Sequence, residues 1–210
     1  MFTGIVQELA PVVGLERETG LLRLHLGLSE ARRYGLQDGA SVAVNGTCLT
    51  VARQDATGIG FDVIEETLAL TNLGGLEVGD RVNVERSATF ADEIGGHRVS
   101  GHVSGVALVS EVRRTENNRV VRLAGDDAWL RYVFHKGFVA LDGASLTVSA
   151  LERAEGWLEV SLIPETLART TFGFREVGDR VNVEVDSETV AVVETVRRVL
   201  DDPEWRQRLR

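Results

Sequence analysis

Short runs of alternating apolar and polar residues, closed by Gly, Asp and Asn, recur along most of the chain. Ser41 to Val44, Cys48 to Ala52, Gly60 to Ile64 and Arg81 to Glu85 are examples, and Val82-Asn83-Val84-Glu85 shows the period of two most plainly. That period turns one face of a strand inward and the other outward. Each half of the chain supplies about six such runs at close spacing, which predicts a small antiparallel barrel per half. Gly79-Asp80 and Gly178-Asp179 precede the strongest run of each half and read as its leading turn. Short helices are expected near Ser29 to Tyr34 and near Asp126 to Phe134.

The period changes at Ser187 to Leu200. There Val190, Val193, Val196 and Leu200 fall on one helical face, which Val192 and Val199 widen. Asp186 or Ser187 can cap the start; Glu188 and Glu194 lie early, and Arg197 and Arg198 suit the end. Such a stripe either packs on its own barrel or joins copies of the chain. The fold expected is mainly β: two similar six-stranded antiparallel Greek-key barrels plus a C-terminal α-helix.

The pattern is also written twice. Asn45-Gly-Thr-Cys-Leu-Thr-Val51 returns 97 residues later as Asp142-Gly-Ala-Ser-Leu-Thr-Val148. Glu66-Thr67-Leu68 and Glu77 to Glu85 return 99 residues later as Glu165-Thr166-Leu167 and Glu176 to Glu184. Gly4-Ile5-Val6 is echoed by Gly101-His102-Val103. A period this long means two similar domains, since solenoid units run to roughly 20–50 residues. With a hinge in Ser87 to Gly96, where polar residues and glycine replace the strand pattern, the expected domains are a barrel over 1–96, a barrel over 97–186 and a helix over 187–210 for oligomerisation.

Composition narrows the class. A net charge of −9 over 210 residues argues against nucleic acid and against an anionic membrane. No apolar run approaches the ~20 residues of a membrane span, and the N-terminus lacks a signal-peptide pattern. The single cysteine cannot form an internal disulfide, so a cytoplasmic location is expected. With four histidines, no CxxC and no HExxH, a structural zinc site is not expected, and no glycine-rich βα turn offers a dinucleotide site.

The two Gly-x-Cys/Ser-Leu-Thr-Val segments turn tightly into a strand and set Cys48 or Ser145 near a threonine hydroxyl at what reads as a barrel mouth. Alone, such residues usually serve turns; their duplication suggests two sites for one ligand shape. His97 and His102 lie in a glycine-flanked loop, five apart, a spacing poor for a metal but compatible with moving a proton. His25 and His135 have unremarkable surroundings. Cys48 is either a nucleophile without a local base or a small buried side chain with a weak donor. Lys136 is either solvated or set to bind an oxyanion or carbonyl. Asp186 ends the second copy where the first has Ser87.

Taken together, Met1 to Val6, Asn45 to Val51, Asp92 to His97, Ser100 to Val103, Asp142 to Val148, Ile163 to Leu167 and Val181 to Asp186 resemble the riboflavin synthase family, duplicated lumazine-binding barrels. Thr47 and Ala144 stand where bulkier residues are common in that family. The resemblance implies a dismutation: two molecules of 6,7-dimethyl-8-ribityllumazine per active site give riboflavin and 5-amino-6-(D-ribitylamino)uracil by transfer of a four-carbon unit. It implies no cofactor and no metal. It also implies a homotrimer in which the first barrel of one subunit faces the second barrel of its neighbour, and raises association with lumazine synthase. The alternative on the same fold is a non-catalytic lumazine- or flavin-binding protein; the resemblance sets it aside through His97, His102, Leu146, Thr147 and Val148.

By position, the resemblance places Gly4, Ile5, Val6, Cys48, Leu49 and Thr50 around the first-barrel ligand, with Asp62, Val63, Ile64, Glu65, Glu66 and Thr67. Around the second it places Gly101, His102, Val103, Lys136, Ser145, Leu146 and Thr147, with Ile163, Pro164, Glu165, Thr166, Leu167 and Ala168. Lys136 and main-chain groups of the Leu-Thr segments would recognise the pteridine, and Asp62 and Asn83 would hold ribityl hydroxyls. Ser41, His97, His102 and Asp186 are the proton-handling candidates, and Cys48 and Ser145 complete the catalytic set.

Overall fold

A computed structural model describes residues 1–203 and 205. Six strands, β1 (Glu8–Glu18), β2 (Leu21–Leu26), β3 (Ser41–Val44), β4 (Thr47–Gln54), β5 (Ile59–Ile64) and β6 (Arg81–Arg86), close into one barrel in the order β1-β2-β5-β4-β3-β6. The second barrel uses β7 (Gly105–Arg114), β8 (Arg119–Ala124), β9 (Phe138–Leu141), β10 (Ala144–Glu152), β11 (Trp157–Leu162) and β12 (Arg180–Val185). Its ring order is the same one shifted by six strands, and every pairing is antiparallel.

The barrels are filled, not hollow. Leu22, Leu24, Leu26, Val42, Val44 and Phe61 bury in the first core; Val121, Leu123, Val139, Leu141, Leu158 and Val160 bury in the second. The intervening residues point outward, as a period of two requires. Two short helices expected from sequence are present, α1 (Glu30–Arg33) and α3 (Asp127–Leu130). Two more were not anticipated: α2 (Glu65–Leu70) and α4 (Pro164–Arg169) carry the duplicated Glu-Thr-Leu segments, each running into a 3-10 turn. Six residues are too few to show a helical period, so these helices rest on tertiary contact.

Outward residues on β6 and β12 are buried all the same, because the two barrels lie against each other there. Asn83 Oδ1 accepts the Thr171 N–H at 2.8 Å, and Asn182 Oδ1 accepts the Asn72 N–H at 2.6 Å, so each strand asparagine caps the other barrel's 3-10 turn. Asn83 also donates to the Asp142 carbonyl at 2.8 Å, and Asn182 to the Asn45 carbonyl at 2.9 Å. The buried Asp142 carboxylate accepts from Asn72 and the Asn182 N–H and pairs with Arg175 at 2.7 Å. The Asn45-Gly46 and Asp142-Gly143 turns sit back to back, and a Cβ added to Gly46 would lie 2.6 Å from the Gly143 nitrogen.

The segments before β1 and β7 cross over. Phe2 and Val99 form a two-way main-chain bridge at 2.8 and 3.0 Å and bury with Ala43 and Ala140 between the barrels. Helix α5 (Ser187–Asp201) starts on Asp186, whose carboxylate accepts the Glu188 and Thr189 N–H groups. Val190 packs on the second core and Tyr132 donates to Glu194 at 2.6 Å, while Val192 and Val196 stay exposed. The expected single stripe is thus divided between two faces. The rest of the 187–210 segment includes residues 204 and 206–210, which lie outside the described residues. Among the described residues no helix is long and apolar enough to cross a membrane.

Candidate functional site

Two clefts of nearly equal size, about 200 and 190 Å³, open on the outer walls of the two barrels, not at their mouths. In the first, Cys48 lies on the outward face of β4, beside Thr47, which also lines the cleft, and Leu49, which packs into the core. Thr50 follows on the same face and pairs with Ser41 across to β3. Glu66, Thr67, Leu70 and Thr71 from α2 and its end complete one wall. The opposite wall is Gly101, His102 and Val103, from the lead segment of the other barrel. The Cys48 N–H donates to the Gly101 carbonyl at 2.8 Å.

The second cleft repeats this with Ser145 in place of Cys48. Leu146, Glu165, Thr166, Arg169 and Thr170 line it, and Gly4, Ile5 and Val6 form the borrowed wall. The Ser145 N–H donates to the Gly4 carbonyl at 2.8 Å. Gly4 and Gly101 hold left-handed conformations with φ of 75° and 84°. A Cβ on either would stand 2.6 Å from Cβ of Ser145 or 2.5 Å from that of Cys48, so only glycine permits the approach. The expected sharing is therefore reversed: Gly4 to Val6 serve the second cleft and Gly101 to Val103 the first. Chain order assigns a lead segment to its own barrel; the crossing sends it to the other.

Polar chemistry differs between the clefts. His97 Nδ1 and Ser145 Oγ lie 2.6 Å apart, close enough to share a proton, and the His97 ring stacks on Phe138 at 5.3 Å. Burial lowers the His97 pKa below the ordinary histidine value, and the nearby Asp186 charge opposes this only in part. Burial would raise Asp186, but hydrogen bonds from Thr189 and Glu188, with His97 nearby, hold it below the usual aspartate value. Phe138 is the counterpart, on β9, of Ser41 on β3, so a ring stands beside Thr147 where a hydroxyl stands beside Thr50.

Several expected residues stand elsewhere. Leu49 and Val63 point into the first core, and Asn83 is committed to the interbarrel network, so their side chains are not available to a ligand. Asp62 lies on the outer wall of β5, paired with Arg53 at 3.0 Å, and does not line the cleft. Ile64 and Ile163 lead into α2 and α4 as exposed cap residues; Glu65 and Pro164 begin those helices, and Leu167 packs inward on the second core. Ala168 follows in α4. Thr147 is exposed on β10. Lys136 is exposed in the turn before β9, its φ of 64° matching Gly39 at the same place in the first barrel. Phe138, Arg169 and Thr170 went unnoticed in the sequence; Phe138 could have been found by aligning the copies, since it replaces Ser41.

Comparisons with known proteins agree with this duplicated form. A family model described as the lumazine binding domain matches twice, over residues 3–87 and 100–186. The riboflavin synthase of Escherichia coli strain K12 is 48% identical over 201 residues, 95% of this chain and 93% of that one. Those of Chlamydia pneumoniae and Mycobacterium bovis are 43% and 44% identical, covering 95% and 89% of this chain and 97% and 93% of theirs. Among solved structures, LumP complexed with riboflavin superposes with a TM-score of 0.83 over 89% of this chain and all of that one, at 24% identity, which speaks to the fold alone.

Proposed function

From the premise that this chain belongs to the riboflavin synthase family of duplicated lumazine-binding domains, we propose how its two clefts share one reaction. The chain is a transferase that converts two molecules of 6,7-dimethyl-8-ribityllumazine into riboflavin and 5-amino-6-(D-ribitylamino)uracil by moving a four-carbon unit. What supports the proposed division of labour is one observation: two clefts lined by corresponding segments and of nearly the same volume carry unlike polar groups. Identical substrates fit the likeness, and their opposite parts in the reaction fit the difference.

Each cleft holds one pteridine between the Cys48 or Ser145 strand and the borrowed glycine wall. Cleft Thr67 and Thr166, with main-chain groups of the Leu-Thr segments, grip the ring in the same way on both sides. Bringing two bound pteridines face to face is worth up to ~7–11 kcal/mol of the activation barrier. In the second cleft the Ser145–His97 pair takes a proton from the C7 methyl group, since a neutral imidazole can accept one. The Asp186 charge then stabilises the imidazolium so formed. In the first cleft Ser41, Cys48 and His102 supply the groups that act on C7 of the partner.

Each cleft is open on one side, which fits a site completed by a neighbour. The chain is read as a homotrimer in which a first cleft faces a second cleft across subunits, with Val192 and Val196 covered in the assembly. A cytoplasmic location fits a chain whose single cysteine is free. Association with lumazine synthase is a proposal raised by the family resemblance alone. The reading is tested by incubating the purified protein with the lumazine and no other reagent. One riboflavin per two lumazines consumed is expected; tightly bound lumazine without riboflavin would make the protein a carrier instead.

A further inference from the structure

Each borrowed wall is held by a carboxylate from the opposite barrel. On β6, Glu85 accepts the Thr3 N–H and hydroxyl on one oxygen at 2.6 and 2.8 Å, and the Gly4 N–H on the other at 3.0 Å. On β12, Glu184 accepts the Ser100 N–H and hydroxyl at 2.6 Å each, and the Gly101 N–H at 2.9 Å. Thr3 Oγ in turn accepts the Ile5 N–H at 3.3 Å, and Ser100 Oγ the His102 N–H at 3.1 Å. The same glycines present their carbonyls to Ser145 and Cys48.

Strand register closes these contacts into a ring. Cys48 pairs with Ala43, which pairs with Glu85; Ser145 pairs with Ala140, which pairs with Glu184. The path runs Glu85, Gly4, Ser145, Ala140, Glu184, Gly101, Cys48, Ala43 and back. Both carboxylates are buried, and among the described residues neither is ion-paired with Lys or Arg. Burying such a group is costly unless donors compensate it, and here three donors converge on each.

We propose that Glu85 and Glu184 are positioning residues that set the two clefts crosswise. Glu184, on the second barrel, fixes His102 and the Gly101 carbonyl in the first cleft; Glu85, on the first barrel, fixes Ile5 and the Gly4 carbonyl in the second. The inference rests on the reading of both clefts as pteridine sites. Each clamp needs an acceptor at every position. A glutamine of the same shape turns an NH2 group toward a main-chain N–H, so one donor loses its partner while the barrel keeps its packing.

The test uses riboflavin, which the reaction yields and does not consume, as the probe. The full-length protein is labelled so that the amide signals of Cys48 and Ser145 report one cleft each. In the unsubstituted protein both signals move with riboflavin. Glu184→Gln should weaken the Cys48 response at least about fivefold and leave that of Ser145 in place, and Glu85→Gln should do the reverse, as expected for a lost charge-assisted hydrogen bond. The untouched cleft serves as the folding control. Should either glutamine variant not fold, Thr3→Val and Ser100→Ala each remove one donor and should give the same crossed pattern with a smaller shift. Weakening in the variant's own barrel, equal weakening in both, or none would overturn the proposal. If neither signal moves in the unsubstituted protein, the reading of the clefts as ligand sites fails first.

Discussion

Burial lowers the His97 pKa below that of a solvated histidine, which favours the neutral ring near neutral pH. The proposed role of base rests on this and on Ser145 Oγ at 2.6 Å from Nδ1. His97→Gln should keep the hydrogen-bonding shape and lose the titration, lowering kcat by roughly 10²–10⁴ with little change in KM; steady-state kinetics on the lumazine decide it. The same residue affects stability with a definite sign. Its folded-state pKa lies below its unfolded value, so the folded state binds fewer protons and stability is complete above about pH 6.5. It is lost as the pH falls through the folded value. Urea unfolding of the His97→Gln variant should therefore decline less between pH 6.5 and 5 than that of the parent; an equal decline would contradict the buried, neutral assignment. His97 and His102 were legible as proton-handling candidates from their glycine-flanked loop. Their separation into different clefts was not, because Gly101 and the residues after it cross to the other barrel while His97 stays at Ser145.

Strands were the legible elements. Their period of two survives wherever one face meets a core, and even the Val-Asn-Val-Glu runs were read correctly as strands. What those runs concealed was that Asn83 and Asn182 face a second barrel, and Glu85 and Glu184 the lead segments before β1 and β7, not solvent. Polar residues on an outward face look alike in sequence whether water or another domain lies beyond. Asn45-Gly46 and Asp142-Gly143 likewise read as ordinary turns, yet they meet back to back. Gly46→Ala should cost at least about 2 kcal/mol, combining a left-handed alanine with an overpacked main-chain contact. That corresponds to a fall of roughly 4–8 °C in Tm. Gly35 is also left-handed but has open space around it, so Gly35→Ala should cost only about 1 kcal/mol. Equal losses in the two variants, followed by calorimetry, would remove the close approach from the account.

At the scale of the whole molecule, duplication is faithful in the framework of the clefts and broken in side chains at and around them. Ring order, cleft volume, carboxylate clamps and glycine walls are repeated; Cys48 against Ser145, Ser41 against Phe138 and Ile5 against His102 are not. Within one chain neither cleft is closed, and the proposed trimer joins a first cleft from one subunit to a second from another. This is tested most directly by mixing two inactive variants. His97→Gln with Ser145→Ala disables the second cleft only; Cys48→Ala with His102→Ala disables the first only. After subunit exchange between the two, confirmed by native mass spectrometry, pairs of intact clefts should reappear in about a quarter of the interfaces of a cyclic trimer, with riboflavin synthesis restored to match. Mixed assemblies that form and stay inactive would contradict the claim that one reaction spans two unlike clefts.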